Sequence, residues 1–255
     1  DPQILHYANL LAAAAGQEAP DPDALDWAWQ HTDDAEIVPL LLAIYGTDPR
    51  AAADRNLPLT NNRLVKLGFL QMQRRAYDAA LPWVRYAADA GIAGGLNNLG
   101  LLYEDGRGVP QDCAKAAALY QKAADAGDSD AMSNLGLLYE DGRGVPQDCA
   151  KAAELYQKAA DAGDSDALKY LGWLYENGQG VPQDYAKAAE LFQKAADAGN
   201  TDAMNNLGLL YVDGQGFPQD YAKAAELFQK AVDAGNSDAI YNLGLLYTNG
   251  QGVSQ

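Results

Sequence analysis

The chain has 255 residues, and its 18 Lys and Arg face 35 Asp and Glu, a formal net charge of −17. Acid in that excess repels phosphate backbones and anionic lipid, which disfavours nucleic acid and anionic membrane as partners. It favours a protein with a basic patch, although the same charge also serves simply to keep a helical protein in solution.

The chain begins at Asp1 without a Met, so processing or trimming is expected. Residues 1–59 read as helical. Ile4 to Ala15 forms an apolar helix stopped by Gly16, and Asp21-Pro22 offers an N-cap and first position for Asp23 to His31. Asp33 with Glu36 suggests a capping box for a helix to Tyr45, with Pro39 able to shift its start or kink it. Asp48-Pro49 opens a short helix to about Asn56. The longest apolar run, Val38 to Tyr45, is far too short to span a bilayer, so no membrane insertion is expected.

From Asn98 the sequence repeats itself. Asn98 to Cys113 returns residue for residue as Asn134 to Cys149, and a Leu-Gly pair recurs with its glycine at Gly100, Gly136, Gly172, Gly208 and Gly244, 36 residues apart. Such a period marks a solenoid in which each unit buries its apolar face on its neighbours. Each unit carries two helical stripes, for example Ala131, Leu135, Leu138 and Tyr139, then Ala152, Leu155, Tyr156, Ala159 and Ala160. Gly127 and Gly163 can close helices, Asp128 and Asp164 can cap the next ones, and Asp148 can cap the second helix after Gly142-Arg-Gly-Val-Pro-Gln. Each unit is therefore a helical hairpin with a glycine-ordered loop.

The phrase A-x-x-x-L-G-x-x-Y-x-x-G-x-G-V-x-x-D-x-x-K-A, closed by K-A-A-x-x-G, resembles the Sel-one-like repeat, a tetratricopeptide-like family. The resemblance implies an all-α, right-handed α-solenoid. Full repeats are expected at 92–127, 128–163, 164–199 and 200–235, and a partial one at 236–255. Leu67-Gly68 with Ala87 to Gly91 looks like an earlier unit at 60–91, shortened by four residues and lacking the G-x-G-V loop. Residues 1–59 would then cap the stack, or form a separate partner-binding module. The first helix of the last unit has no second helix after it, which points to a trimmed or disordered end, or to another chain covering it. Bacterial relatives are often exported, which points to the periplasm or cell envelope. Cysteine-rich members staple each hairpin with a disulfide. Cys113 and Cys149 instead stand one per hairpin at equivalent positions, too far apart to pair, and are expected to be free and half-buried.

No chemistry is expected. His6 and His31 lie outside the repeats with no metal-ligand partner at useful spacing, and none of the common hydrolase, zinc, P-loop or calcium-loop motifs occurs. No Ser has a Lys three residues on, which removes a penicillin-binding reading. Glu140-Asp141 recurs in tandem, which suits a solvated rim better than a catalytic pair. No catalytic residue, cofactor or metal is therefore assigned.

In tetratricopeptide-like stacks the first helices line a concave face that meets the ligand. With the Leu of Leu-Gly as anchor, offsets −2, +2, +5 and +6 fall opposite the core stripe. They give a protein-binding set: Phe69 and Met72; Asn97, Leu101, Glu104 and Asp105; Ser133, Leu137, Glu140 and Asp141; Lys169, Trp173 and Glu176; Asn205, Leu209 and Val212; and Tyr241. An apolar ribbon lies beside an acidic track, with Trp173 as the leading anchor. Leu101, Leu137 and Leu209 have the alternative of packing between neighbouring helices. The expected role is a non-enzymatic adaptor or scaffold binding a partner with a basic surface. A second reading, from exported relatives that neutralise toxins, is an immunity protein occluding a secreted bacterial toxin, and a third is an enzyme using groove carboxylates.

Overall fold

The computed structural model describes residues 2–252, and the end of the expected loop after Gly252 lies outside the described residues. Fifteen helices and no strand occur among them. The first seven fall in a compact unit ending at Asp112, and the remaining eight in a second unit beginning at Cys113.

In the first unit, α1 (Pro2–Ala14), α2 (Pro22–Gln30) and α3 (Ile37–Tyr45) pack on one another. The short α4 (Pro49–Asp54) leads to α5 (Asn61–Gln73), α6 (Tyr77–Asp89) and α7 (Ala93–Asp105), which pack in succession. Asp21 caps α2 by accepting from the Ala24 amide, and Asp48 caps α4 by accepting from Arg50, each with proline at the next position as read from the sequence. The capping box expected at Asp33 and Glu36 does not form. Asp34 accepts the Glu36 amide at 2.8 Å, α3 starts at Ile37, and Glu36 makes no side-chain cap. Pro39 therefore falls in the first turn, where its missing N–H costs nothing. The core of this unit gathers Leu41, Tyr45, Leu67 and Trp83, all fully buried, and the Trp83 indole donates to the Gly46 carbonyl at 3.0 Å.

The second unit is a run of α8 (Cys113–Asp125), α9 (Ser129–Asp141), α10 (Cys149–Asp161), α11 (Ser165–Asn177), α12 (Tyr185–Asp197), α13 (Thr201–Asp213), α14 (Tyr221–Asp233) and α15 (Ser237–Asn249), each packed on the next. This is the all-α solenoid of repeated hairpins. Asp128, Asp164, Asn200 and Asn236 cap the first helices, and Asp148, Asp184 and Asp220 the second.

Two glycine contacts hold it together. Inside a hairpin the Leu-Gly glycine seats a fully buried ring: a Cβ at Gly136, Gly172 or Gly208 would lie 2.5, 2.7 or 2.5 Å from a ring carbon of Tyr156, Phe192 or Phe228. Each such ring contributes about 2–3 kcal/mol by leaving water. Between hairpins the second loop glycine presses on the first turn of the preceding hairpin's second helix. A Cβ at Gly144 or Gly180 would come within 2.2 Å of the Cys113 or Cys149 carbonyl carbon, and both glycines have positive φ, 74° and 70°. Cys113 and Cys149 are free and half-buried under these loops.

Gly163 provides the control, since its φ is 96° but nothing lies within 4 Å of a Cβ there. Gly163→Ala is expected to cost only the left-handed backbone term, about 1–2 kcal/mol, whereas Gly180→Ala adds a backbone collision and reaches about 3 kcal/mol or more. Urea unfolding of the two variants checks the difference.

Candidate protein-binding face

The anchor spacing places one residue per hairpin, two after the Leu, on a partly open row. In the second unit these are Leu137, half-buried, then Trp173, Leu209 and Leu245 at 37, 36 and 42% exposure. In the first unit Phe69 is exposed, Leu101 and Met72 are half-buried, Glu104 is half-buried, and Asp105 is exposed with an ion pair to Arg107.

The residues five after the Leu turn partly inward. Glu140 and Glu176 are half-buried, and burial, the largest influence, holds both carboxyls above their ordinary range. For Glu140 the Tyr156 hydroxyl, which donates to Oε2 at 2.8 Å, opposes part of that shift. For Glu176 the charge of Asp213 adds to it. Val212 occupies the same offset and is half-buried. Asp141, at the next position, is exposed and pairs with Arg143 at 3.1 Å.

The positions two before the Leu do not face outward as the offset reading expects. Asn97, Ser133 and Asn205 are buried, and only Tyr241, in α15, is open. In the second unit the flank that carries Ser133 and Asn205 meets the following first helix. Ser133 Oγ donates to Asp164 at 2.5 Å, and Asn242 donates to Asn205 at 2.8 Å. Lys169 is drawn into the same seam, with Nζ 3.3 Å from Asp202 and 3.4 Å from Asp166.

A groove of about 440 Å³ opens at this point, walled by Leu137, Glu140, Lys169, Trp173, Asp202 and Asp238. Asp202 and Asp238 escape the offset reading because they sit in the first turn, where an acid is already explained by the helix dipole. Helical spacing was the available signal, since Asp202, Asn205, Leu209 and Val212 stand three, four and three residues apart and share one stripe.

The family model described as Sel1 repeat matches residues 93–128, 129–164, 165–200, 201–236 and 237–255, well over half of the chain. The chain belongs to the Sel1 repeat family. Among solved structures it is similar to c5321, a protective antigen of uropathogenic Escherichia coli displaying an SLR fold, at 34% identity and a TM-score of 0.69 over 77% of this chain. That match spans only 43% of the E. coli protein. It is also similar to a Sel1 repeat protein from Oxalobacter formigenes, at 33% identity and a TM-score of 0.69, over 74% of this chain and 77% of that one. The Pseudomonas aeruginosa immunity protein PA5088 shares the fold at 23% identity and a TM-score of 0.52, over 74% of this chain and 72% of that one. No curated protein matches the chain. No helix among the described residues is long and apolar enough to cross a membrane.

The first helices of these Sel1 repeats also share an acidic edge. Burial, then the charges of Asp128, Asp164 and Asp166, holds Asp130 above its ordinary range. One repeat on, Asn replaces the capping Asp, and Asn200 donates to Asp166 at 2.8 Å. In the following repeat Asn236 donates to Asp202, also at 2.8 Å. Asp130, Glu140 and Glu176 all have folded values above their unfolded ones, so the native state keeps its protons longer, and stability is lost as pH rises through the raised range. Glu140→Gln with Glu176→Gln should shrink the loss of urea midpoint between about pH 5 and about pH 7.5 relative to the parent chain. An unchanged or larger loss would contradict the assignment.

Proposed function

We propose that the first-helix face of this Sel1 repeat chain binds a protein partner and that the chain acts as an adaptor or scaffold without chemistry of its own. The carrying observation is Trp173. The second helices each bury one ring completely, at Tyr156, Phe192 and Phe228, whereas this indole is 37% exposed beside an acid-lined groove. An aromatic anchor inside a polar rim is the composition of an interface hot spot. The row of Leu137, Leu209 and Leu245 extends apolar surface on both sides of it along successive repeats, which suits an extended polypeptide. Acid along the row, with a net charge of −17, selects a basic partner and speeds its encounter.

A narrower reading, favoured by the same acidic lining, makes the partner a secreted toxin whose basic surface is covered. The likeness to PA5088 carries the fold alone, so that reading rests on the groove.

Photoreactive side chains at positions 137 and 173 are expected to cross-link the partner in the native host, whereas the same groups at 154 and 190, on α10 and α12, are expected to remain free. Glu140→Lys should weaken capture at least about tenfold. Cross-links confined to 154 and 190 would move binding to the other face. Under the toxin reading the captured partner loses its activity when the chain is added, and a partner that keeps full activity in the complex contradicts that version.

A further inference from the structure

One place on the first-helix face suits a particular side chain. Three carboxylates, Glu140, Asp202 and Asp238, line the groove against a single ammonium, Lys169. That ammonium is already committed. It bridges Asp166 and Asp202, lies 4.4 Å from the Tyr170 ring centroid, and has a side chain only 15% exposed. Glu140 is held at the wall by the Tyr156 hydroxyl, and its half-buried carboxylate gains from any cation brought beside it. No cation among the described residues lies over Trp173, whereas Tyr139, Tyr170 and Tyr211 each carry a lysine at 4.3, 4.4 and 5.2 Å from the ring centroid.

An open indole beside under-neutralised carboxylates recognises a planar cation, because a guanidinium can stack on the ring and pair with a carboxylate at the same time. We infer that the groove is a socket for one arginine side chain of the bound polypeptide, stacked on Trp173 and neutralised by Glu140 and Asp238. Lysine fits it less well, since a compact ammonium has no plane to lay on the indole. The inference rests on the protein-binding reading of this face and supplies the chemistry of the residue that enters it.

The test needs no partner. The ¹⁵N-labelled chain is titrated with the blocked pentapeptide acetyl-Gly-Ser-Arg-Ser-Gly-amide, its lysine analogue, and its neutral citrulline isostere. The indole N–H signals of the four tryptophans are followed, and Trp173 is identified by its loss in Trp173→Phe. A saturable shift confined to Trp173 is expected with the arginine peptide, at roughly millimolar concentration for a single side chain. The citrulline peptide should bind at least about fivefold more weakly, and the lysine peptide between the two. Glu140→Gln with Asp238→Asn should weaken the arginine response by a similar factor while the backbone amide signals of α9 to α15 away from the two substituted positions stay where they are in the parent chain, which shows that the variant is folded. Equal responses to arginine and citrulline, or an undiminished response in the double variant, would overturn the socket. If cross-links place a partner at 173 while the arginine peptide leaves Trp173 unmoved, the socket falls and the binding face stands. If the peptide titrates as expected but no partner cross-links there, the socket stands and the wider reading falls.

Discussion

The solenoid depends on backbone touching backbone at one glycine per repeat. Gly144, Gly180, Gly216 and Gly252 each lie where a Cβ would be 2.2 to 2.7 Å from the first turn of the preceding hairpin's second helix, and each has the positive φ that glycine adopts freely. No side chain intervenes, so the contact fixes the step from hairpin to hairpin more tightly than apolar packing alone. The first loop glycines, such as Gly142 and Gly178, do the preparatory work by ending the first helix in the left-handed conformation. A fixed step gives the 36-residue period its functional meaning, because it brings Leu137, Trp173, Leu209 and Leu245 to the same place in successive hairpins.

Much of this was legible in the residues. The caps at Asp128, Asp148 and Asp164, the hairpins and the free cysteines all follow from turn chemistry and period. The face was legible only in part. Offsets measured around one isolated helix cannot tell solvent from the flank of a neighbouring helix, so Asn97, Ser133 and Asn205 read as outward although the structure buries them. Asp202 and Asp238 were hidden for the opposite reason, since a first-turn acid already has a local explanation. At Glu36 a capping pattern was present, but Asp34 competed for the same amide and won.

The tandem copies also show where the chain departs from its own pattern. The repeated Leu at 101, 137, 209 and 245 becomes Trp173, and the small polar residue two before the anchor becomes Lys169. The two changes fall in one hairpin and wall one groove. Packing alone gives no reason for them, because the same positions in neighbouring hairpins are satisfied by Leu and by Ser or Asn. Lys169 neutralises part of the acid gathered by Asp166 and Asp202, and Trp173 gives the remaining charge an aromatic floor.

Locating the partner crystallographically tests the central claim most directly. The account predicts an extended segment running across α9, α11 and α13, with Trp173 covered and a basic side chain in its groove. A partner seated on α10, α12 and α14, with Trp173 as open as it is in the free chain, would contradict it.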